Sequence, residues 1–142
     1  MKKIIICILS IFLIVICIVV YGVYQKNENT AQIGVDNKTY ESYENKEVLG
    51  TDIISIINKA TDSNEKNDIK IGEDGNYIDN GKNSIRIEIK FLELDKVITM
   101  ERINNVGIEK FWSNYGALSF KCTKIDYHEK THKVKYMYFE EI

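Results

Sequence analysis

The chain has 142 residues, of which 44% are hydrophobic and 28% are charged, and it contains no proline and three cysteines. This length suits one small domain of ordinary size. Because the net charge is only −2, the chain lacks the basic excess that nucleic-acid binding requires, and we expect no nucleic-acid partner.

The N-terminal stretch is the strongest signal. Residues 4–24 read IIICILSIFLIVICIVVYGVY and carry no charge. As a helix they would be about 31 Å long, at 1.5 Å per residue, which matches a bilayer core of about 30 Å. Lys2 and Lys3 precede the stretch and mark its cytoplasmic side, and Tyr21 and Tyr24 fall at the other interface.

We therefore predict a single-pass signal anchor over residues 1–25, with residues 4–24 in the lipid bilayer of the cell membrane. The N-terminus would lie inside and the rest of the chain outside. A cleavable signal peptide is the main alternative, but its apolar region is shorter and ends in small residues. Val20-Tyr21-Gly22 does not provide such a site, which favours an uncleaved anchor.

The part beyond the anchor is mildly acidic and has no internal disulfide. It holds all 21 acidic residues and 17 of the 19 basic residues, a net charge of −4. Cys122 is its only cysteine, so the fold must depend on core packing. We expect Cys122 to be a small buried residue on a strand.

After the anchor, residues 26–38 are polar and largely aperiodic, which predicts a tether, and residues 39–142 form the extracytoplasmic domain. Its first element is an amphipathic helix, in which Thr51 or Asp52 would cap the start. The apolar stripe of this helix repeats at i, i+3, i+4 and i+7 and consists of Ile53, Ile56, Ile57 and Ala60.

From residue 67 the hydrophobic period changes from helical to alternating. Asp74-Gly75 and Asn80-Gly81 are typical of tight hairpin turns. Residues 84–91 form the clearest strand, because apolar and charged side chains alternate along it. Residues 97–103 predict a second strand.

A second short helix is expected over residues 105–115, with Ile108, Phe111, Trp112 and Tyr115 on one face and Gly116 at its end. Residues 117–127 and 133–141 read as two further strands, in which Leu118, Phe120 and Cys122 alternate, as do Val134, Tyr136 and Tyr138.

The predicted fold class is α+β: an N-terminal transmembrane helix, then an amphipathic helix and a small antiparallel sheet with a second short helix. The predicted core consists of Ile53, Ile57, Ile85, Ile87, Ile89, Phe91, Phe111, Trp112 and Phe120.

One motif suggests chemistry. His128-Glu129-Lys130-Thr131-His132 matches H-E-x-x-H, which in zinc proteases lies on a helix so that both imidazoles share one face. Here the flanking residues alternate like strands, which predicts a hairpin loop with two surface histidines. His128 and His132 are thus only weak metal-ligand candidates, and we predict neither a metal site nor a cofactor.

Residues 73–83 resemble a calcium-binding loop at first sight. Counting from Asp74, however, the fifth position is Ile78, where the loop requires an oxygen ligand. Two successive tight turns explain the same residues.

The order of elements resembles small single-pass exported proteins of low-GC Gram-positive bacteria, some of them pilin-like. VLGTDIISIINKA (48–60) resembles the helix that such proteins place after the anchor, and FKCTKIDYHEKTHKVKYMYFEE (120–141) resembles their closing hairpin. The chain differs from true pilins in having no Gly-Phe-type prepilin cleavage site after the lysines and no Glu in the apolar helix.

These features favour a non-enzymatic binding, accessory or assembly module at the cell surface, with an unknown protein or cell-envelope partner. A pilin-like assembly subunit is the alternative. A zinc-dependent hydrolase that uses the HEKTH motif is a lesser one.

Overall fold

The computed structural model describes residues 2–93 and 96–142, so Met1 of the predicted anchor lies outside the described residues. The fold is mixed α+β, with a long apolar N-terminal helix and a five-stranded sheet. The chain divides into two compact units, the first ending at Val35 and the second running from Asp36 to Ile142.

The first helix, α1, runs without a break from Lys2 to Glu41. Residues 26–38, predicted to be a polar tether, are therefore helical and continue the apolar segment without a break. Extending an existing helix is much cheaper than starting a new one, and the chain has no proline to stop it. Side-chain bonds one turn apart support this region, among them the Tyr24 hydroxyl donating to Glu28 at 2.7 Å.

The sheet has the spatial order β1-β4-β5-β2-β3. Its strands are β1 (Glu47–Leu49), β2 (Arg86–Phe91), β3 (Lys96–Thr99), β4 (Ser119–Tyr127) and β5 (Val134–Glu141). β2 and β5 are parallel, while the other neighbours are antiparallel, so the predicted antiparallel sheet is corrected to a mixed one. Alternation of apolar and polar residues is the same in both kinds of pairing, and it does not reveal strand direction.

Three further helices pack with the sheet around one core: α2 (Gly50–Lys66), α3 (Met100–Val106) and α4 (Ile108–Tyr115). The predicted stripe of α2 is confirmed, because all four of its residues are buried. The helix begins earlier than expected, with Leu49 at the N-cap and the Asp52 carboxylate accepting from the Leu49 amide at 3.2 Å. Gly50 is required there, since a Cβ would lie 2.1 Å from the Tyr115 carbonyl oxygen.

One strand was expected over residues 97–103, but the chain changes there from β3 to α3 at Met100. Thr99 provides the N-cap, and its hydroxyl accepts from the Arg102 amide at 3.4 Å. The helix predicted over residues 105–115 is interrupted at Gly107, whose φ of 103° separates α3 from α4. The sequence therefore contains two short helices here where one was expected.

The predicted core is confirmed except for Trp112, which is 61% exposed. On α4, Phe111 and Tyr115 contact Phe91, with ring centroids 6.2 and 4.7 Å apart. Because successive helical residues are about 100° apart, Trp112 points away from them. Cys122 is fully buried on β4, as expected.

The inward side of β5 changes along the strand. Val134 is buried, but the next buried residues are Met137 and Phe139, so the expected alternation through Tyr136 and Tyr138 is wrong. Tyr127 pairs with Val134 and Asp126 with Tyr136, which leaves Lys135 without a cross-strand partner. This irregularity shifts the alternation of inward and outward side chains by one residue. Tyr136 and Tyr138 therefore lie on the face opposite to Val134.

Asn64 joins α2 to the start of β2. Its side chain is fully buried, and its amide group donates to the Ile85 carbonyl and accepts from the Ile85 amide, both at 2.8 Å. The side chain thus satisfies both backbone groups of Ile85, where the strand enters the core.

We predict that Asn64→Ala will lower the free energy of unfolding by about 2–4 kcal/mol, because it leaves buried backbone groups of Ile85 without partners. Lys59→Ala, at an exposed position of the same helix, should change it by less than about 0.5 kcal/mol. Guanidinium unfolding of the full chain, followed by near-UV circular dichroism, measures both. Equal effects of the two substitutions would contradict this role of Asn64.

Candidate binding groove on the open face of the sheet

The face of the sheet that points away from the core carries two cross-strand rows of polar side chains. In the first row, Tyr136 lies between Arg86 and Asp126. In the second row, Tyr138 lies between Glu88 and Lys124. The phase shift in β5 therefore places two tyrosines in the middle of a charged surface.

A groove of about 470 Å³ runs over this face. The rows on β2, β4 and β5 form one side of it, and the connection between α2 and β2 contributes Tyr77, Asp79 and Ser84. This volume lies within the range of small-molecule sites, roughly 300–1,000 Å³. The structure thus brings together side chains that are distant in sequence.

Each of the three cations that line the groove is paired with a carboxylate. The N–O distance is 2.7 Å in all three pairs, which are Arg86–Glu88, Lys124–Asp126 and Lys135–Asp79. Such partly exposed pairs add little stability. The described charges of the groove sum to zero.

Tyr136 is the aromatic centre of the groove. Its hydroxyl donates to Glu88 at 2.8 Å, the Lys124 ammonium lies 5.4 Å from its ring centroid, and the Tyr138 ring stacks at 6.3 Å. Burial, and then the hydrogen bond to Glu88, raise the pKa of Tyr136 above its ordinary value of 10.0. The hydroxyl therefore remains protonated at neutral pH and serves as a donor.

The HEKTH motif forms the turn between β4 and β5, so the predicted hairpin loop is confirmed. The prediction of two surface histidines is wrong for His128, which is only 2% exposed. Its Nε2 lies 2.8 Å from the Ser84 carbonyl oxygen, and its Nδ1 lies 3.8 Å from the Asp79 carboxylate. His132 is exposed and adopts a positive φ of 56°.

This turn holds the loop that borders the groove. His128 binds Ser84, and the Thr131 hydroxyl donates to the Lys82 carbonyl. The motif is not helical, so it lacks the arrangement in which a zinc protease aligns two imidazoles. Within residues 2–93 and 96–142, no group of three or more His, Cys, Asp or Glu is arranged to hold a metal ion.

The two turns predicted in residues 73–83 are present, with positive φ at Gly75 (77°) and Gly81 (68°). The first turn closes a small hairpin through the bridge between Ile71 and Tyr77. In the second, the Asn80 side-chain oxygen accepts from three following amides at 3.0–3.1 Å. That turn does not join two strands of the sheet, but leads into the loop beside the groove.

Sequence reasoning missed the groove because its residues have no recognisable spacing. Asp79 lies in a turn, and Lys135 and Tyr136 fall in a segment whose sequence predicts a regular strand. The one available signal was the pair of apolar residues Met137 and Phe139, which is out of phase with Val134. It indicates an irregular strand but not the partners across it.

Comparison of the chain with protein-family models, with curated proteins and with solved structures found no significant match.

We predict that His128→Ala will lower the free energy of unfolding by about 2–4 kcal/mol, because it opens a buried space and removes the partner of the Ser84 carbonyl. His132→Asn should change it by less than about 0.5 kcal/mol, because Asn tolerates a positive φ. Chemical unfolding of both variants measures this difference. A larger loss for His132→Asn would contradict the assignment.

The Asp79–Lys135 pair predicts a specific pH dependence. The hydrogen bond from Lys135, followed by that from the Gly81 amide, lowers the pKa of Asp79 from 3.8 to about 2. A lowered pKa means that the charged form stabilises the fold, fully above the ordinary pKa and progressively less as the pH falls toward 2.

We therefore expect Asp79→Asn to be less stable than the natural chain above about pH 5, with the difference shrinking between about pH 4 and 2. Unfolding free energies across this pH range measure the effect. Lys135→Gln, which removes the main cause of the lowered pKa, should lose the same pH-dependent part. A difference that is constant with pH would rule out this pair as its source.

Proposed function

We propose that this protein is a membrane-anchored module at the cell surface, which presents the groove on the sheet to an extracytoplasmic partner. The observation that carries the proposal is the exposure of the apolar N-terminal segment. Within Ile8–Glu41, an 18-residue window has a mean hydropathy of 2.5, and none of it is buried by the rest of the chain. A helix of this kind has the length and composition to span a bilayer.

Burial argues for lipid as the environment of this segment. The described aliphatic side chains of residues 6–23 are between 46% and 65% exposed, whereas the second unit buries its own core without them. Such a row of apolar side chains in water would be unfavourable. The bilayer is the partner that removes it from water.

The groove supports a binding role for the second unit. Its charged side chains are already paired, and it offers donors, acceptors and an aromatic ring on a rigid sheet. A surface with no net charge suits a polar partner without a strong charge of its own. The H-E-x-x-H turn gives no support to zinc hydrolysis, since it is not a helix.

We expect a C-terminal tag on the full chain to be removed by protease added to intact cells, and the protein to stay in carbonate-washed membranes. The cytoplasmic position of Lys2 and Lys3 predicts this orientation. Leu13→Arg with Val15→Arg should release the protein from membranes, because each charge costs about 2.5–3.5 kcal/mol at the centre of the span. Leu13→Phe with Val15→Phe is the matched control and should remain bound.

A protected tag, or a soluble mature chain that begins after Gly22, would contradict the proposal. The first result would place the domain in the cytoplasm. The second would mean that the apolar segment is a cleaved signal.

A filament subunit is the second candidate, and the continuity of α1 favours it. An unbroken helix from Lys2 to Glu41 replaces the flexible tether that a simple anchor would use. In a filament, apolar segments from many copies would pack against one another and not against lipid. Filaments sheared from cells would then contain the uncut chain, whereas recovery from membranes alone would favour the anchor.

A further inference from the structure

A second cleft lies where β3, α3 and α4 meet, apart from the groove on the sheet. Its volume is about 190 Å³, and its walls are mainly apolar: Ile98, Ile103, Val106, Phe111 and Tyr115. Ile103 is 3% exposed and Val106 is 57% exposed, so the cleft extends from the core to the surface.

Two cations, Arg102 and Lys110, also line this cleft, and both residues are exposed. Among the residues that the structure describes, no carboxylate lines the cleft or forms an ion pair with either of them. The groove on the sheet is different, because there each cation is neutralised at 2.7 Å. The second cleft therefore combines an apolar interior with two cations that form no ion pair within the described part of the chain.

This combination selects a ligand with two parts. An apolar group gains free energy by filling the cleft, and an anionic head on the same molecule can pair with Arg102 or Lys110. An apolar cavity of roughly 150 Å³ is enough to hold benzene, while drug-sized ligands need roughly 300 Å³ or more. The volume here lies between these limits and suits a short chain.

We propose that the cleft between α3 and α4 binds a carboxylate with a short apolar chain. The apolar chain lies against Ile103, Val106 and Phe111, and the carboxylate pairs with Arg102 and Lys110. This inference is independent of the membrane anchor and of the groove, because it depends only on residues 98–115.

Binding is tested on the full chain in phosphatidylcholine nanodiscs, with octanoate as the probe and the labelled methyl groups of Ile103 and Val106 as NMR reporters. We expect saturable shifts of both reporters. The neutral 1-octanol should bind about tenfold more weakly, since it lacks the charge-assisted hydrogen bonds. Octylammonium should bind more weakly still, because it places a cation beside two others.

Substitutions in the cleft distinguish binding that depends on Arg102 and Lys110 from simple partition of the probe into the bilayer. Arg102→Gln with Lys110→Gln should weaken octanoate binding about tenfold and leave 1-octanol unchanged. Lys59→Gln with Lys66→Gln removes the same total charge from exposed positions of α2 and should change neither. Val106→Asp adds a carboxylate at an exposed rim position and should abolish octanoate binding without unfolding the chain.

Equal affinities for octanoate and 1-octanol in the natural chain would overturn the proposal. So would shifts that rise linearly without saturation, which indicate partition into the bilayer, or equal effects of the Arg102/Lys110 and Lys59/Lys66 variants, which indicate a general charge effect.

Discussion

The parallel pairing of β2 with β5 is the constraint on which the rest of the second unit depends. A parallel pair needs a long connection, and β2 is joined to β5 through β3, α3, α4 and β4. A second long connection, residues 67–85, leads from α2 into β2. That connection has little regular structure of its own, so side chains must fix it. Asn64 holds Ile85 at one end, and His128 holds Ser84 beside the hairpin turn.

The same constraint produces the groove. Because the connection returns along the open face of the sheet, Asp79 comes within 2.7 Å of Lys135 on β5. The phase shift in β5 then turns Tyr136 toward Arg86 and Glu88 on the parallel neighbour. Ser84 serves both roles, because its carbonyl lies 2.8 Å from His128 and its hydroxyl donates to Asp79 in the groove at 3.1 Å. A partner bound in the groove would therefore also stabilise the loop beside it.

The two clefts differ in whether the cations that line them form ion pairs. On the sheet, Arg86 and Lys124 pair with carboxylates on their own strands, and Lys135 pairs with Asp79 on the connection. Arg102 and Lys110 lie instead on short helices next to apolar side chains. A cation that already has an ion-pair partner offers little further attraction to an anion, while one that forms no ion pair with the described residues and lies beside an apolar wall offers more. The second unit thus presents two clefts of different chemistry.

Whether a feature of the structure can be predicted from the sequence depends on how far apart in the chain the interacting residues lie. The apolar N-terminal segment, the stripe of α2, the strand from residue 86 and the closing hairpin all follow from residues close together in the chain. Their hydrophobic periods identify the element and its buried face, and eight of nine predicted core residues are indeed buried. The turns at Gly75 and Gly81 follow in the same way from backbone conformations that glycine favours.

Tertiary structure alone decided the direction of β2 relative to β5, the exposure of Trp112, the burial of His128 and the place of the groove. Alternation does not encode strand direction, and His128 is covered by a loop 44 residues away in sequence. The irregular pairing at Lys135 arises only when β4 and β5 meet, so the sequence of either strand alone does not predict its effect on Tyr136. Local patterns determined which elements form, because they depend on neighbouring residues, whereas the sites were decided by contacts between distant segments.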